Sequence, residues 1–210
     1  MTKHFKTDNV IVRKFNMRDV EQFYSNLLLQ NDLNYTQDKI GGKVEKNRQT
    51  YKSMEQTRLI VKSAINEYYT DEPIWAVEDK ENKNLVGVIR VTNYSPKNRM
   101  CNITWTMSYK YWDNKFMEDA LKEIFSFLFM KKSIELIECS YYEQDNNTSI
   151  VLDEIGMTRE AVLRDRRVNE NTNKKENFVI YSINRDEFFK MIGYKSNNNG
   201  RYCKCLKRKV

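Results

Sequence analysis

Hydrophobic positions along the chain alternate between a spacing of two and a spacing of 3.6, and each change marks a new element. Residues 10–15 form a short β-branched run, and Val20, Phe23, Tyr24, Leu27 and Leu28 then fall at helical spacing. A polar stretch with Gly41-Gly42 follows. Tyr51, Met54, Leu59, Ile60, Ala64, Ile65 and Tyr68 outline a second helix, which Pro73 ends. Residues 74–78, 85–91 and 100–108 read as three strands joined by polar turns, which predicts an antiparallel meander. From Trp112 the helical spacing returns at Phe116, Ala120, Ile124, Phe127 and Leu128, and residues 134–142 read again as a strand. That strand-helix-strand order predicts a parallel crossover at the centre of the sheet. Residues 148–155 predict a short helix, capped by Thr148 or Asn147 and ended by Gly156, before two closing strands at 159–168 and 177–183. The pattern predicts an α+β fold: a mixed, mostly antiparallel sheet of about seven strands with helices on both faces.

Composition narrows this picture. With 210 residues, 40% of them hydrophobic, the chain can build one substantial core, so residues 1–190 are expected to form a single domain. The most apolar stretch, residues 124–130, is far shorter than a membrane span, and a soluble, cytoplasmic protein is expected. Four scattered cysteines form neither a disulfide framework nor a metal-ligand spacing, which points to reduced thiols and no metal. The net charge of +7 lies entirely in the last 21 residues, where seven basic residues stand without an acidic one. The body is neutral, and residues 191–210 read as a basic, mobile tail. Contact with nucleic acid is expected only through that tail, and no membrane partner is expected. The single histidine, His4, sits near the terminus, so histidine-based catalysis is not expected, and nucleophilic cysteine catalysis lacks its partner.

Three strings carry a family resemblance. Residues 145–157, Asp-Asn-Asn-Thr-Ser-Ile-Val-Leu-Asp-Glu-Ile-Gly-Met, are similar to E-N-x-x-S-x-x-V-L-E-K-L-G-F. Residues 159–165 are similar to R-E-G-V-L-R-D, and residues 179–182 to V-V-Y-S. Together, in this order, they resemble the GNAT superfamily of acetyltransferases, in particular the branch of ribosomal-protein N-terminal alanine acetyltransferases. The resemblance covers about residues 8–190, and three ordered strings are more specific than any one alone.

The resemblance implies acetyl-coenzyme A as co-substrate, and a primary amine as acceptor, either a peptide N-terminus or a small molecule. In the family the pyrophosphate sits on the turn that opens the central helix, with the pattern W-G-x-G-Y-A in this branch. The corresponding residues are Trp112, Asp113, Asn114, Lys115, Phe116 and Met117, so both glycines and the small residue are replaced. Glycine lets backbone approach phosphate closely. Lys115 offers an ammonium in compensation, whereas Asp113 brings a negative charge. Asp113 or Asn114 also reads as an ordinary helix cap. Cofactor contacts are thereby expected at Asn114, Lys115, Phe116 and Met117. Met107 and Tyr109, at the end of the preceding strand, and Asn146, on the pantetheine arm, are expected to join them. The two parallel strands are expected to splay after Ser108 and Tyr142 and to leave an edge with which that arm pairs.

Acyl transfer to an amine also needs a neutral nucleophile, donors for the developing oxyanion and a proton for the departing thiolate. Ser149 matches the family serine that lies near the cofactor sulfur and donates that proton. Helix capping is the alternative role for Ser149 and Asn146. The family glutamate in E-I-G-Y-W corresponds to Asn102, and an amide cannot act as a base. Water, Glu138 or Glu143 remain as proton acceptors, and Tyr141 or Tyr142 is placed to face the cofactor. Residues 31–69 and 169–176 line the acceptor side in the family. A second reading of the same replacements is a GNAT-fold binding module without catalysis.

Overall fold

The computed structural model describes residues 4–28, 53–169, 174–196 and 202–204. Strands β1 (Phe5–Lys6) and β2 (Val10–Arg13) lead to helix α1 (Asp19–Gln22), which continues as a π-helical turn over Phe23–Leu28. Helix α2 (Met54–Glu67) precedes the meander β3 (Ile74–Asp79), β4 (Leu85–Ser95) and β5 (Met100–Met107). A 3₁₀ turn (Tyr109–Asn114) opens into α3 (Phe116–Lys131), followed by β6 (Leu136–Tyr142), α4 (Asn146–Glu154), β7 (Thr158–Asn169), β8 (Lys174–Asn184) and α5 (Arg185–Met191). The strands β9 (Tyr194–Ser196) and β10 (Tyr202–Lys204) pair with each other, so part of the stretch expected as tail is an antiparallel ladder. Gly41-Gly42, the first part of the expected acceptor region, residues 170–173 and most of the basic tail lie outside the described residues.

Eight strands form one sheet in the order β1-β2-β3-β4-β5-β6-β8-β7. Every pairing is antiparallel except β5 with β6, the crossover that α3 makes. Both faces are covered, and β3 is therefore buried at nearly every position rather than alternating. Trp75 and Val77 join the larger core with α3, α4 and α5, while Ile74 and Ala76 join Phe23, Leu27, Val61 and Ala64 on the opposite face.

Helix α3 buries Met117, Ala120, Leu121, Ile124, Phe125, Leu128 and Phe129, an unbroken stripe at three- and four-residue steps. Its start differs from the expected one. The segment from Tyr109 to Asn114 is a 3₁₀ turn, and the cap position is Lys115, without a side-chain hydrogen bond, so neither Asp113 nor Asn114 caps the helix. The cap of α4 is likewise neither Thr148 nor Asn147. Asp145 takes that role: its carboxylate accepts from the Thr148 N–H at 3.1 Å and from the Thr148 hydroxyl at 2.6 Å. On the opposite side of the sheet, Arg13 joins Asp19 at 2.8 Å and Glu78 at 2.7 Å, and this fixes α1 to β2 and β3.

Candidate active site

The site begins where two strands part. β5 and β6 share three rungs, Met100 with Leu136, Cys101 with Ile137 and Asn102 with Glu138. Beyond them β5 continues beside β4 as far as Met107, and β6 continues beside β8 as far as Tyr142. Their inner edges therefore face each other across a widening cleft, where backbone groups lack ladder partners. Cys101, Ile103, Trp105 and Met107 point to the α3 face, which places Asn102 and Thr104 on the other. Cys139 is buried at the fork, and the Ile103 backbone N–H is directed at its sulfur. Burial pushes the Cys101 thiol up to about 12 and the Cys139 thiol also well above its usual range, so neither is a nucleophile at neutral pH.

Beside the mouth of this cleft lies the turn into α3. Lys115 adopts a left-handed backbone, φ 54° and ψ 20°. This is the conformation that glycine reaches without steric cost, so the turn keeps a glycine-type geometry at a position occupied by lysine. Helical geometry leaves the N–H groups of Phe116, Met117 and Glu118 without intrahelical acceptors, at the positive end of the helix dipole. Met117 fits because Gly87 on β4 leaves room for it: a Cβ on Gly87 would lie 2.9 Å from the Met117 methyl carbon. Met117 is fully buried. Phe116 stacks on Tyr111, with ring centroids 6.0 Å apart.

The charges around this turn run against an anion. The Lys115 ammonium, expected to face a pyrophosphate, is held by the Glu154 carboxylate at 3.0 and 3.1 Å, which ties the turn to the end of α4. Glu118, which the sequence reading did not single out, is buried in the first turn of α3, where one of its oxygens has no hydrogen-bond donor among the described residues. Burial raises its pKa, its own backbone N–H opposes that rise, and Glu154 adds to it. Asp119 accepts from Asn9 at 2.8 Å. The turn therefore offers a backbone shaped for phosphate together with a carboxylate that competes for the same helix terminus.

Helix α4 forms the third wall. Ser149 is half-buried and lies beside Tyr141 of β6. Tyr181 of β8 lies beside Tyr141, and Asp153 beside Tyr181. Two regular spacings bring these side chains together. Ser149 and Asp153 stand one helical turn apart on α4, and the β6/β8 register sets Tyr141 diagonally across from Tyr181, with ring centroids 5.8 Å apart. Burial raises both phenol pKa values. The position of Tyr181 and Asp153 was not read from the sequence, although Asp153 four residues after Ser149 was a usable signal.

The remaining expected residues divide clearly. Met107 is fully buried opposite Gly87, Tyr109 and Asn114 are exposed, and Asn146 is the first residue of α4, its side chain outside the described ones. Glu143 is engaged by Asn177 at 2.7 Å and by Arg159 at 3.3 Å. Glu138 stands at the last rung of the fork, level with Asn102. Tyr142 points to the other face and packs edge-on against Phe178. Among the described residues no cluster of His, Cys, Asp or Glu is placed to hold a metal, and no helix is long and apolar enough to cross a membrane.

Comparison with known proteins accords with this geometry. Residues 9–158 match the acetyltransferase (GNAT) domain model. The N-acetyltransferase YoaA of Bacillus subtilis is 21% identical over 179 residues, covering 85% of this chain and 94% of its own length. The ribosomal-protein-S5-alanine acetyltransferase of Vibrio fischeri superposes with a TM-score of 0.72 at 13% identity, covering 89% of this chain and 98% of its own. RimL, the ribosomal L7/L12 α-N-protein acetyltransferase in complex with coenzyme A, gives a TM-score of 0.72 at 14% identity over 86% of this chain and 97% of its own. The forked parallel pair, the helix that opens beside it and the family match together show that this chain belongs to the GNAT acetyltransferases, a family of acyltransferase enzymes.

Proposed function

We propose that the protein is an acetyl-coenzyme A-dependent N-acetyltransferase that transfers the acetyl group to a primary amine, a peptide N-terminus or a small-molecule amine, by direct attack in a ternary complex. One observation carries this reading: the β5/β6 ladder ends after three rungs, next to a left-handed turn whose backbone N–H groups open α3. The neighbours crystallised with coenzyme A or acetyl-coenzyme A share this fold, which supports the reading and, with it, a cytoplasmic location.

Acetyl-coenzyme A supplies the activated acyl group as a thioester. The chain's own residues bind and orient it. The N–H groups that open α3 would serve phosphate oxygens, and the inner edge of β5 past Asn102 offers backbone partners to an extended amide arm. Asn146 opens α4 on the opposite wall, and Tyr109 and Asn114 border the mouth. Lys115 serves the phosphate only by leaving Glu154. Ser149 is the polar side chain that α4 brings toward the fork, and its hydroxyl handles the proton at the reacting centre.

The test measures thiol release from acetyl-coenzyme A with three acceptors: a peptide with N-terminal alanine, spermidine and an aminoglycoside. Turnover with at least one, accompanied by acetylated product in the mass spectrum, is the expected result. Absence of product with all three at millimolar donor contradicts the reading.

A further inference from the structure

The fork opens toward the C-terminal ends of β5 and β6, and there β8 outruns β6. The last β6/β8 rung joins Tyr142 to Phe178, and the Glu143 N–H donates to the Asn177 carbonyl at 3.1 Å. β8 begins three residues earlier, at Lys174, and β7 accompanies it, with Arg167 opposite Glu176, Val168 opposite Lys175 and Asn169 opposite Lys174. The pair therefore stands about 10 Å beyond the end of β6, as a two-stranded arm at the open end of the cleft. Asn177 builds its base. The Asn177 amide donates to the Glu143 carboxylate at 2.7 Å, and its Oδ1 accepts the Asp165 N–H at 3.1 Å. Between the rungs Leu163/Phe178 and Arg167/Glu176, β7 sets Arg164, Asp165 and Arg166 against the single Asn177, with Asp165 in the left-handed region at φ 49°. Past this bulge the Arg167 guanidinium lies 4.6 Å from the centroid of Phe178, which packs edge-on against Tyr142. Tyr142 is on the face opposite α3, so the Arg167 charge shares the face of Asn102, Thr104 and Glu138, which are half-buried.

Residues 164–168 and 174–176 hold five cations, three of them arginine, against Asp165 and Glu176. β7 is an edge strand, and charge of either sign would guard it against pairing with another chain. The body of β7 shows that ordinary use, with both charges engaged: Arg159 pairs with Glu143 at 3.3 Å, and Glu160 accepts from the Ser182 hydroxyl. Arg164, Arg166 and Lys175 on the arm are exposed, and their side chains make no ion pair or hydrogen bond among the described residues. The arm thus presents positive charge to whatever leaves the cleft.

We infer that this arm selects the acceptor: a peptide amine followed, within its first residues, by Asp or Glu side chains that Arg164, Arg166 and Arg167 receive. The inference rests on the acetyl-transfer reading above and narrows its acceptor class. Reach favours a peptide. From the last β5/β6 rung at Glu138 to Glu143 is five residues of strand, about 16 Å, so an extended peptide with its amine anywhere in the cleft meets the arm within about five residues. Charge favours an acidic one, because spermidine or an aminoglycoside brings further ammonium groups toward charge of the same sign. Arginine in particular suits a carboxylate, since its planar fork makes two parallel N–H···O bonds to one. The arm lies away from the reacting atoms and acts on the choice of acceptor.

Steady-state kinetics with acetyl-coenzyme A and three peptides tests this. Each peptide begins Ala-Ser and carries four glutamates, four glutamines or four lysines at the next positions. The wild type is expected to favour the glutamate peptide over the glutamine one by about tenfold in kcat/KM, with the lysine peptide lowest, and the preference should shrink as NaCl rises from 50 to 500 mM. Arg164→Glu/Arg166→Glu should reverse the order of the glutamate and lysine peptides. Lys97→Glu/Lys131→Glu, an equal change of charge at the closed end of the fork, should keep it. Should the arm variant fail to fold by circular dichroism, Arg164→Gln/Arg166→Gln decides by loss of the preference. Equal kcat/KM for the three peptides overturns the inference and leaves acetyl transfer standing, as does turnover of spermidine or the aminoglycoside alone. An unchanged preference in the arm variant overturns it too. Indifference to peptide charge, with a single-stranded RNA bound by the wild type and not by the arm variant, assigns the arm to RNA and overturns the peptide. A wild type that acetylates no amine at all overturns the acetyl-transfer reading instead, and the inference with it.

Discussion

Replacing Glu118 with glutamine should strengthen binding of coenzyme A. The carboxylate occupies the first turn of α3, where the helix dipole and the free N–H groups would otherwise favour an external anion. For a phosphate seated on that turn at a separation of about 5 Å from the carboxylate, an effective dielectric of about 20 gives a repulsion of about 3 kcal/mol for each pair of unit charges. Lys115 in the same turn offsets about half of this once it is freed from Glu154, leaving about 1.5 kcal/mol, or roughly tenfold in Kd. Titration calorimetry of wild type and Glu118→Gln with coenzyme A, across pH 5.5 to 8, measures the difference. Because burial raises the Glu118 pKa, the wild type carries less charge at the acid end, so its Kd should approach that of the variant there and diverge from it as pH rises. The stability effect has the same sign. A carboxylate with a folded pKa above its unfolded value binds more protons when folded, so it contributes stability at low pH that is lost as pH rises through the folded pKa. The variant should therefore melt higher than the wild type at pH 8 and equally at low pH. Equal coenzyme A affinity for the two proteins at every pH would refute the placement of this carboxylate against the phosphate site.

Lys115→Gly removes the left-handed strain at the helix cap while giving up the exposed contact with Glu154; it should raise the melting temperature by about 2 °C and tighten coenzyme A binding, as scanning calorimetry and titration show. Arg13→Ala leaves Asp19 buried without its cation and should destabilise the fold by about 3–5 kcal/mol in urea unfolding, whereas a loss under 1 kcal/mol would mean the α1 clamp is dispensable. Asp145→Ala removes the α4 cap and strands the buried Thr148 hydroxyl; a cost of about 1–2 kcal/mol is expected, with a matching loss of protection in α4 amide exchange. Cys101 and Cys139, buried with raised pKa values, should resist iodoacetamide in the native protein at pH 7.5 and react after denaturation, as peptide mass mapping would show.

The elements most legible in the sequence are those whose burial pattern repeats. Helix α3 was readable because its apolar positions keep a helical period over its length, and the meander because its apolar, β-branched runs are bounded by polar turns. α5 was passed over, although Asn184 and Glu187 form a reciprocal capping box whose N-x-x-E spacing is visible in the letters. β1 spans two residues and leaves no period at all. Caps were misplaced for a local reason: both Asp113-Asn114 and Asp145-Asn146-Asn147-Thr148 offer several acceptable short polar side chains, and only the backbone decides which one faces the free N–H groups. The site shows the same limit. Ser149 was legible from a family string, but Tyr181 sits in a strand 32 residues further on, and only the β6/β8 register brings it beside Tyr141. At position 115, where lysine replaces the family glycine, the letters do not show that the backbone keeps a left-handed turn.

The most direct test of the acetyltransferase account is a crystal structure of the protein grown with coenzyme A. The account predicts density for the diphosphate on the first turn of α3, against the N–H groups of Phe116 and Met117, and for the pantetheine arm along the inner edge of β5 with its sulfur near Ser149. A fully ordered cleft without ligand at millimolar coenzyme A, or coenzyme A bound anywhere else on the molecule, would contradict it.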